Sequence, residues 1–407
     1  MPLIVNTKYY FVESIDTWSF RGNRAFGTVA GSYGDTSFPP MPSVLAGAFR
    51  SMLLGQDATE IERFVRGERS SDTELGRILG TLSEPGSFQV SIVTPAMRNG
   101  QKIQTFLGMP SDIVIAKQDQ RLQVLQVDPQ VKPAECICGF PDFLPCIPVL
   151  RQSRASKPES GWLFTGEGMR VYQEGGRQFT EGKHIIHSSK LWGQEFRVGI
   201  GLHADSRSAD DGKLFSLHHT APKHDQEAES DGEVGLLVGL SGCEGKLPNS
   251  GWLRLGGDGR GASYSTVSRD FGFDPSLSEA TWSKMRETGK FKLMMRSPGL
   301  FSQGWLPDGI KEHGNELILE WRDVRARLIC ASVPRYTVIS GWSLAEWKPK
   351  IAQRVVPTGT VYWFELLKGG PEQLRNLANH GLWIESEENY DRQRQAEGFN
   401  QIIVAAT

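Results

Sequence analysis

Asp16-Thr17-Trp18-Ser19-Phe20-Arg21-Gly22-Asn23-Arg24-Ala25-Phe26, followed after a short interval by Phe38-Pro39-Pro40-Met41-Pro42-Ser43-Val44-Leu45-Ala46-Gly47-Ala48-Phe49-Arg50, is the stretch whose reading decides the fold. It joins an apolar strand, Tyr9 to Glu13, to a helix expected over Ser43 to Leu54, through a loop rich in arginine and aromatics. A helix that starts after a proline-rich loop presents free backbone N–H groups in its first turn, which suits a phosphate. Ser43 is the expected N-cap, and Leu45, Ala48, Phe49 and Met52 give the helix one apolar face. Gly47 stands where alanine is the better helix former by about 1 kcal/mol, so a close approach is expected there.

Further elements follow in order. Phe196-Arg197-Val198-Gly199-Ile200 and Gly212-Lys213-Leu214-Phe215 read as a hairpin, with Asp205 to Asp211 as a polar tip. Leu255-Gly256-Gly257-Asp258-Gly259-Arg260 is a glycine-rich loop, Ile339-Ser340-Gly341-Trp342 leads to Pro349-Lys350, and Val356-Pro357-Thr358-Gly359-Thr360-Val361-Tyr362 opens a strand. Together with Phe20-Arg21, Arg24, Phe26, Pro40, Pro42, Gly47, Ala48 and Arg50, these elements span residues 16 to 366. In type and order they resemble the motifs of the third RAMP subunit of type III-B CRISPR effector complexes, the Cmr complexes. Asp258-Gly259 departs from that family's usual loop, and the C-terminal Glu397-Gly398-Phe399-Asn400 is a weak version of its last glycine-rich element.

The resemblance implies an α+β protein of two ferredoxin-like (RRM-like, β-α-β-β-α-β) RAMP domains. The residues alone support the second: strands Phe291 to Arg296, Ala326 to Ser332, Thr360 to Leu367 and Gln401 to Ala405, with a helix Pro371 to His380 and an abbreviated first helix. The expected division is 1–285 and 286–407, with long insertions in the first domain. Helices are expected at Thr59 to Arg66 and Thr73 to Leu82, strands at Phe88 to Val93, Asp112 to Ile115, Leu122 to Val127 and Val234 to Leu240. Coil is expected from Pro129 to Pro158, a mobile charged loop over 220–233, and a protruding "thumb" over 151–197, the last by analogy with related RAMP subunits.

At 407 residues the chain is long enough for more than one core, and 45 glycines and 22 prolines argue against a helical bundle. No signal peptide or membrane-spanning run is visible, and five cysteines, an odd number, read as reduced cytoplasmic thiols. A net charge of −2 excludes a freestanding, uniformly basic nucleic-acid binder but not a localised track. No cofactor is expected: a Gly-x-x-x-x-Gly-Lys-Ser/Thr loop is missing, and Cys136, Cys138 and Cys146 lack the spacing and fourth ligand of structural zinc.

The candidate RNA-binding residues are Arg21, Arg24, Phe26, Ser43, Arg50, Arg197, Gly256, Gly257, Arg260, Lys350 and Arg354. Arginine and lysine hold phosphates, an aromatic such as Phe26 or Phe38 stacks a base, and a glycine-rich loop lets backbone N–H groups approach an anion. The bland reading of each is a surface ion pair, a packed aromatic or a tight turn; Trp342 and Trp347 are read as packing an interface. The resemblance implies no catalysis. It implies instead binding of the repeat-derived 5′ tag of the crRNA, docking on the large polymerase-domain subunit and on the repeated backbone RAMP subunit, and only indirect contact with target RNA. The rival reading is a metal-independent endoribonuclease using a histidine from His184, His187, His203, His218 or His219. A scaffold without RNA contact is the third.

Overall fold

The computed structural model describes residues 7–21, 32–68, 72–81, 84–118, 121–133, 144–152, 154–203, 205–223, 232–268, 278–343, 346–385 and 390–407. The first half is framed by β1 (Lys8–Ser14), α1 (Pro42–Leu54), β2 (Gln89–Asn99), β3 (Glu233–Ser241) and β4 (Gly261–Val267). These strands lie side by side as β4-β1-β3-β2, each antiparallel to its neighbour. Consecutive residues Tyr10, Phe11 and Val12 of β1 are all buried, because both faces of this central strand are covered. Tyr10 and Val12 meet Leu45, Phe49 and Leu53 of α1, and Phe11 packs with Ala96, Ile103 and Leu237 on the other side.

The second half repeats the order. Its strands β5 (Lys290–Met295), β6 (Val324–Ser332), β7 (Val361–Lys368) and β8 (Ile402–Ala406) run as β8-β5-β7-β6, again antiparallel throughout, with α2 (Pro371–His380) between β7 and β8. Leu374 and Leu377 of α2 pack on Leu293, Phe364 and Val404. The two halves keep different helices. Between β3 and β4 the described chain forms a strand, Ser250–Arg254, and a tight turn, Gly257–Gly259, in place of a helix. Between β5 and β6 it forms the hairpin Ile310–His313 and Glu316–Trp321, which extends the second sheet.

The insertion between β2 and β3 fastens the halves together. Its strands Lys102–Gly108, Trp162–Thr165 and Ile185–His187 extend one edge of the first sheet, which with Ser250–Arg254 on the other edge has eight strands. Leu107, Trp162, Phe164 and Tyr172 then cover the back of the second sheet at Met294, Trp363 and Ile403. Within that contact Lys292 Nζ lies 3.1 Å from Asp112 Oδ2, the two side chains being 1% and 0% exposed. Tyr172 donates its hydroxyl to the other Asp112 oxygen at 2.9 Å, and the ammonium lies 4.0 Å from the centre of the tyrosine ring.

Several expectations need correction. Between 129 and 158 the described chain is not all coil: Arg121–Val131 pairs with Ile113–Gln118 and with Cys146–Leu150. Pro129 and Pro148 face each other across that pair, so their missing donors fall in one place. Of the stretch 151–197, the part from Leu163 to Ile185 does not protrude, because Leu163, Phe164, Met169, Tyr172 and Ile185 bury it against both sheets, whereas 192–197 open a hairpin. The long hairpin is Trp192–Leu202 with Ala209–Pro222, joined by Ser32–Gly34. Of the expected loop 220–233, Thr220–Pro222 belong to this hairpin and Glu233 opens β3, while 224–231 lie outside the described residues. The helix Glu279–Thr288 packs through Trp282 and Met285 into the second core, ahead of the expected boundary.

Candidate RNA interface

The chain leaving β1 is gripped from two sides. Trp18 N–H donates to Thr220 O at 2.9 Å and Thr220 N–H returns the bond to Trp18 O at 2.8 Å, which ties this segment to the hairpin. On the other side Gly257 N–H donates to Ser19 O at 2.7 Å. Gly256 has φ +86°, and a Cβ there would lie 2.5 Å from Ser19 O, so the loop reaches this distance only with glycine. The expected anion nest is therefore partly occupied by the protein's own backbone.

These contacts bring Arg197, Gly256, Gly257 and Arg260 onto one seam, with Arg21 two residues beyond Ser19 on the same segment. Arg197 clasps Asp16 with two bonds, 2.8 and 3.0 Å, and also Glu195 at 2.6 Å. Arg260 reaches the same Asp16 at 3.0 Å and Thr17 Oγ1 at 3.3 Å, and its buried Nε has no partner. The hydrogen bond from Arg197 chiefly holds the Asp16 carboxyl below its ordinary pKa, with Arg260 adding to it. The same bonds push Arg197 upward. Behind the seam Thr17 Oγ1 lies 3.0 Å from Nδ1 of buried His219, whose pKa is lowered by burial first and then by Arg260 and Arg197. Arg21 is exposed at an isolated bridge to Thr36, whereas Arg24 and Phe26 lie outside the described residues.

Other expected residues lie elsewhere. Ser43 is not an N-cap: Met41 takes that position without a side-chain bond, and Pro42 fills the first helical place with Ser43 after it. Phe38 is not available to stack a base, since it lies flat on Trp18 at 5.0 Å and edge-on to Trp192 at 4.5 Å. Arg50 is mostly buried, 3.7 Å from Glu397 and over the Phe88 ring at 5.2 Å; burial lowers its pKa. Glu397 also receives Arg394 at 2.9 Å and Lys350 at 3.9 Å, so this second cluster sets three cations around one buried carboxylate. Arg354 lies over the Tyr336 ring at 4.8 Å. Trp342 and Trp347 do not pack an interface within the chain: they are 53% and 73% exposed, edge to face at 5.9 Å.

Asp16, Arg394 and Glu397 were missed, because an acid that organises cations carries no motif of its own. His184, His187, His218 and His219 all make bonds to neighbouring groups, and His203 faces Asp210 at 3.5 Å near the hairpin tip. Cys136 and Cys138 lie outside the described residues, among which no cluster of three metal-ligating side chains occurs. Nor is any described helix long and apolar enough to cross a membrane.

Residues 10–407 match the model of a family described as CRISPR-associated protein (Cas_Cmr3). The chain belongs to the Cas_Cmr3 family. The resemblance carried by the motifs from Phe20 to Tyr362 is thereby borne out. No curated protein matches this Cas_Cmr3 sequence. Among solved structures it is similar to a chain of "Cryo-EM structure of the Type III-B Cmr-beta bound to cognate target RNA and AMPPnP, state 1", with TM-score 0.47 and 13% identity over 97% of this chain and 96% of that one. A chain of "Cryo-EM structure of the Type III-B Cmr-beta bound to cognate target RNA" gives TM-score 0.43 and 13% identity over 88% and 86%.

Proposed function

We propose that this chain is a non-catalytic subunit of a type III-B CRISPR effector complex that grips the 5′ tag of the guide RNA. It joins the large polymerase-domain subunit to the repeated RAMP backbone. The observation that carries the reading is the shared carboxylate: Arg197 and Arg260 are held side by side on Asp16, with Arg21 on the same segment. A phosphate arriving there replaces Asp16 as acceptor for two cations already oriented, so little ordering cost remains. Each half is read as a ferredoxin-like RAMP domain, supported by the repeated strand order, with the division ahead of Ser278. The thumb is reassigned to the hairpin Trp192–Leu202 and Ala209–Pro222, whose Phe196, Val198, Ile200 and Leu214 are exposed.

The test is photocrosslinking of the assembled complex with guide RNA labelled within its tag. Adducts in residues 15–21, 197 or 256–261 are expected. Adducts confined to other subunits would reduce this chain to a scaffold. Replacing His203 while measuring guide processing addresses the endoribonuclease reading, and unchanged processing is expected.

A further inference from the structure

A cavity of about 270 Å³ lies between the two sheets. Its walls come from both halves: Pro40 and Met41 ahead of α1, Ile92 on β2, Leu163, Met294 on β5, and Gly398. The wall is mostly apolar, and one charged residue stands in it, Arg296, which directly follows β5. Its Nη2 donates to Ser91 O at 2.9 Å and to Gln401 Oε1 at 3.2 Å. A guanidinium carries five N–H groups. The remainder find no acceptor, and no carboxylate pairs with Arg296, among the described residues. Protein encloses the group closely enough to push its pKa down to about 10, yet part of its surface stays open.

A cation kept without a counter-ion in apolar surroundings is costly, and folding alone gives no reason to retain it. Holding Ser91 and Gln401 together needs neutral donors only. The volume lies just below the range of small-ligand pockets, so it suits one ring system and not a whole nucleotide. The hydroxyls of Ser91 and Thr337, which have no partner among the described residues, add neutral donors and acceptors beside Arg296, while the prolines and aliphatic side chains around them favour a flat ring over a phosphate dianion. A flat, uncharged ring with two acceptors on one edge satisfies both the walls and the open guanidinium.

We propose that this cavity receives one splayed nucleobase of the bound RNA, guanine before the others, read by Arg296. The inference rests on the RNA-binding reading above. Gly398 in the wall is next to Glu397, and of the cations on that carboxylate Arg50 is mostly buried and Arg394 buried, which leaves exposed Lys350 to meet a flanking phosphate.

The experiment measures fluorescence anisotropy of the full-length chain with 5′-labelled uridine octamers carrying one guanosine, adenosine or abasic site, scanned along the octamer. Guanosine at one position is expected to bind about tenfold or more tighter than the abasic site there. Arg296→Gln should erase that preference. Thr358→Trp, at an exposed wall position, should do the same and decides the matter if the arginine variant fails to fold. Equal binding of guanosine and abasic octamers by the wild type overturns the pocket while sparing the RNA-binding reading. Persistence of the preference in both variants also overturns it. If no octamer binds, both readings fall, and thermal stabilisation by a glutamate-containing peptide instead would make the cavity a protein socket.

Discussion

The two halves share a strand order and differ in what replaces the missing helix. In the first, a strand and a glycine-rich turn lie where a second helix would be, and their short reach lets Arg260 and Arg197 meet on Asp16. In the second, a hairpin lies where a first helix would be, and its charges are matched locally: Arg325 with Glu320, Arg327 with Glu316 and Glu365. One gap shares the Asp16 carboxylate between two cations on an open seam, with Glu195 as a second acid on Arg197 alone. The other neutralises its own edge. Equal topology thus leaves unequal electrostatics, and the unequal part is where a polyanion would bind.

The largest effect is expected where the halves are joined. Asp112→Ala leaves the Lys292 ammonium buried and unpaired, which should cost about 3–5 kcal/mol in denaturant unfolding. The double change Asp112→Leu, Lys292→Met should recover most of it, because a packed apolar pair is often neutral. Failure of the double variant to recover would mean that the Tyr172 bond, not charge, dominates.

Next come the retained helices. Phe49→Ala removes a fully buried ring that touches Tyr10 and Tyr264, at about 3–5 kcal/mol; Leu377→Ala removes the counterpart on α2, at about 2–5 kcal/mol. Comparable losses would support the halves as structural equivalents. A loss confined to one would show that the other helix only decorates its sheet.

Asp16→Asn acts on the electrostatic contrast. Exposed Asp16 contributes little to stability, but its removal frees Arg260 and leaves Arg197 with Glu195 only, so the slope of log affinity against log salt for single-stranded RNA should steepen by about 0.7 for the freed cation. An unchanged slope would deny the seam a role in binding. The pH dependence has a definite sign. Asp16 is depressed from 3.8, so its contribution is present above that value and lost as pH falls below it. His219 is depressed from 6.5, so the unfolded chain takes up its proton first and stability declines once pH falls below 6.5. In Asp16→Asn the lower step should vanish and the upper one remain.

Much of the fold could be read along the chain, because β1, α1, β3 and the strands of the second half combine apolar content with clean boundaries. The α2 span Pro371–His380 follows from proline at its start and glycine after its end. The insertion resisted reading for a physical reason: its buried residues face two sheets at once, so neither period dominates, and Leu163 and Phe164 look like an isolated pair until the second sheet is present. The site was half legible. Arg197, Gly256 and Arg260 carry motif signals, while Asp16, which orients the two arginines, and Glu397, which gathers Arg50, Lys350 and Arg394, are recognisable only once distant segments meet. Arg50 shows the converse, a motif arginine directed inward to Glu397.

The smallest predicted effect separates internal from external causes of a glycine. Gly256→Ala should destabilise the chain, since φ +86° and Ser19 O at 2.5 Å both oppose a Cβ. Gly47 differs: it is exposed on α1, and a Cβ there meets nothing within 4 Å. The expected close approach does not come from this chain. Gly47→Ala should therefore stabilise the isolated protein by about 0.5–1 kcal/mol through helix propensity alone. If the same change weakens assembly of the complex while raising the melting temperature of the free subunit, an outside body lies against that face of α1. If assembly is indifferent, the glycine has no role the helix can reveal, and the first half meets its partners through other surfaces, such as the seam at Asp16 and the exposed hairpin.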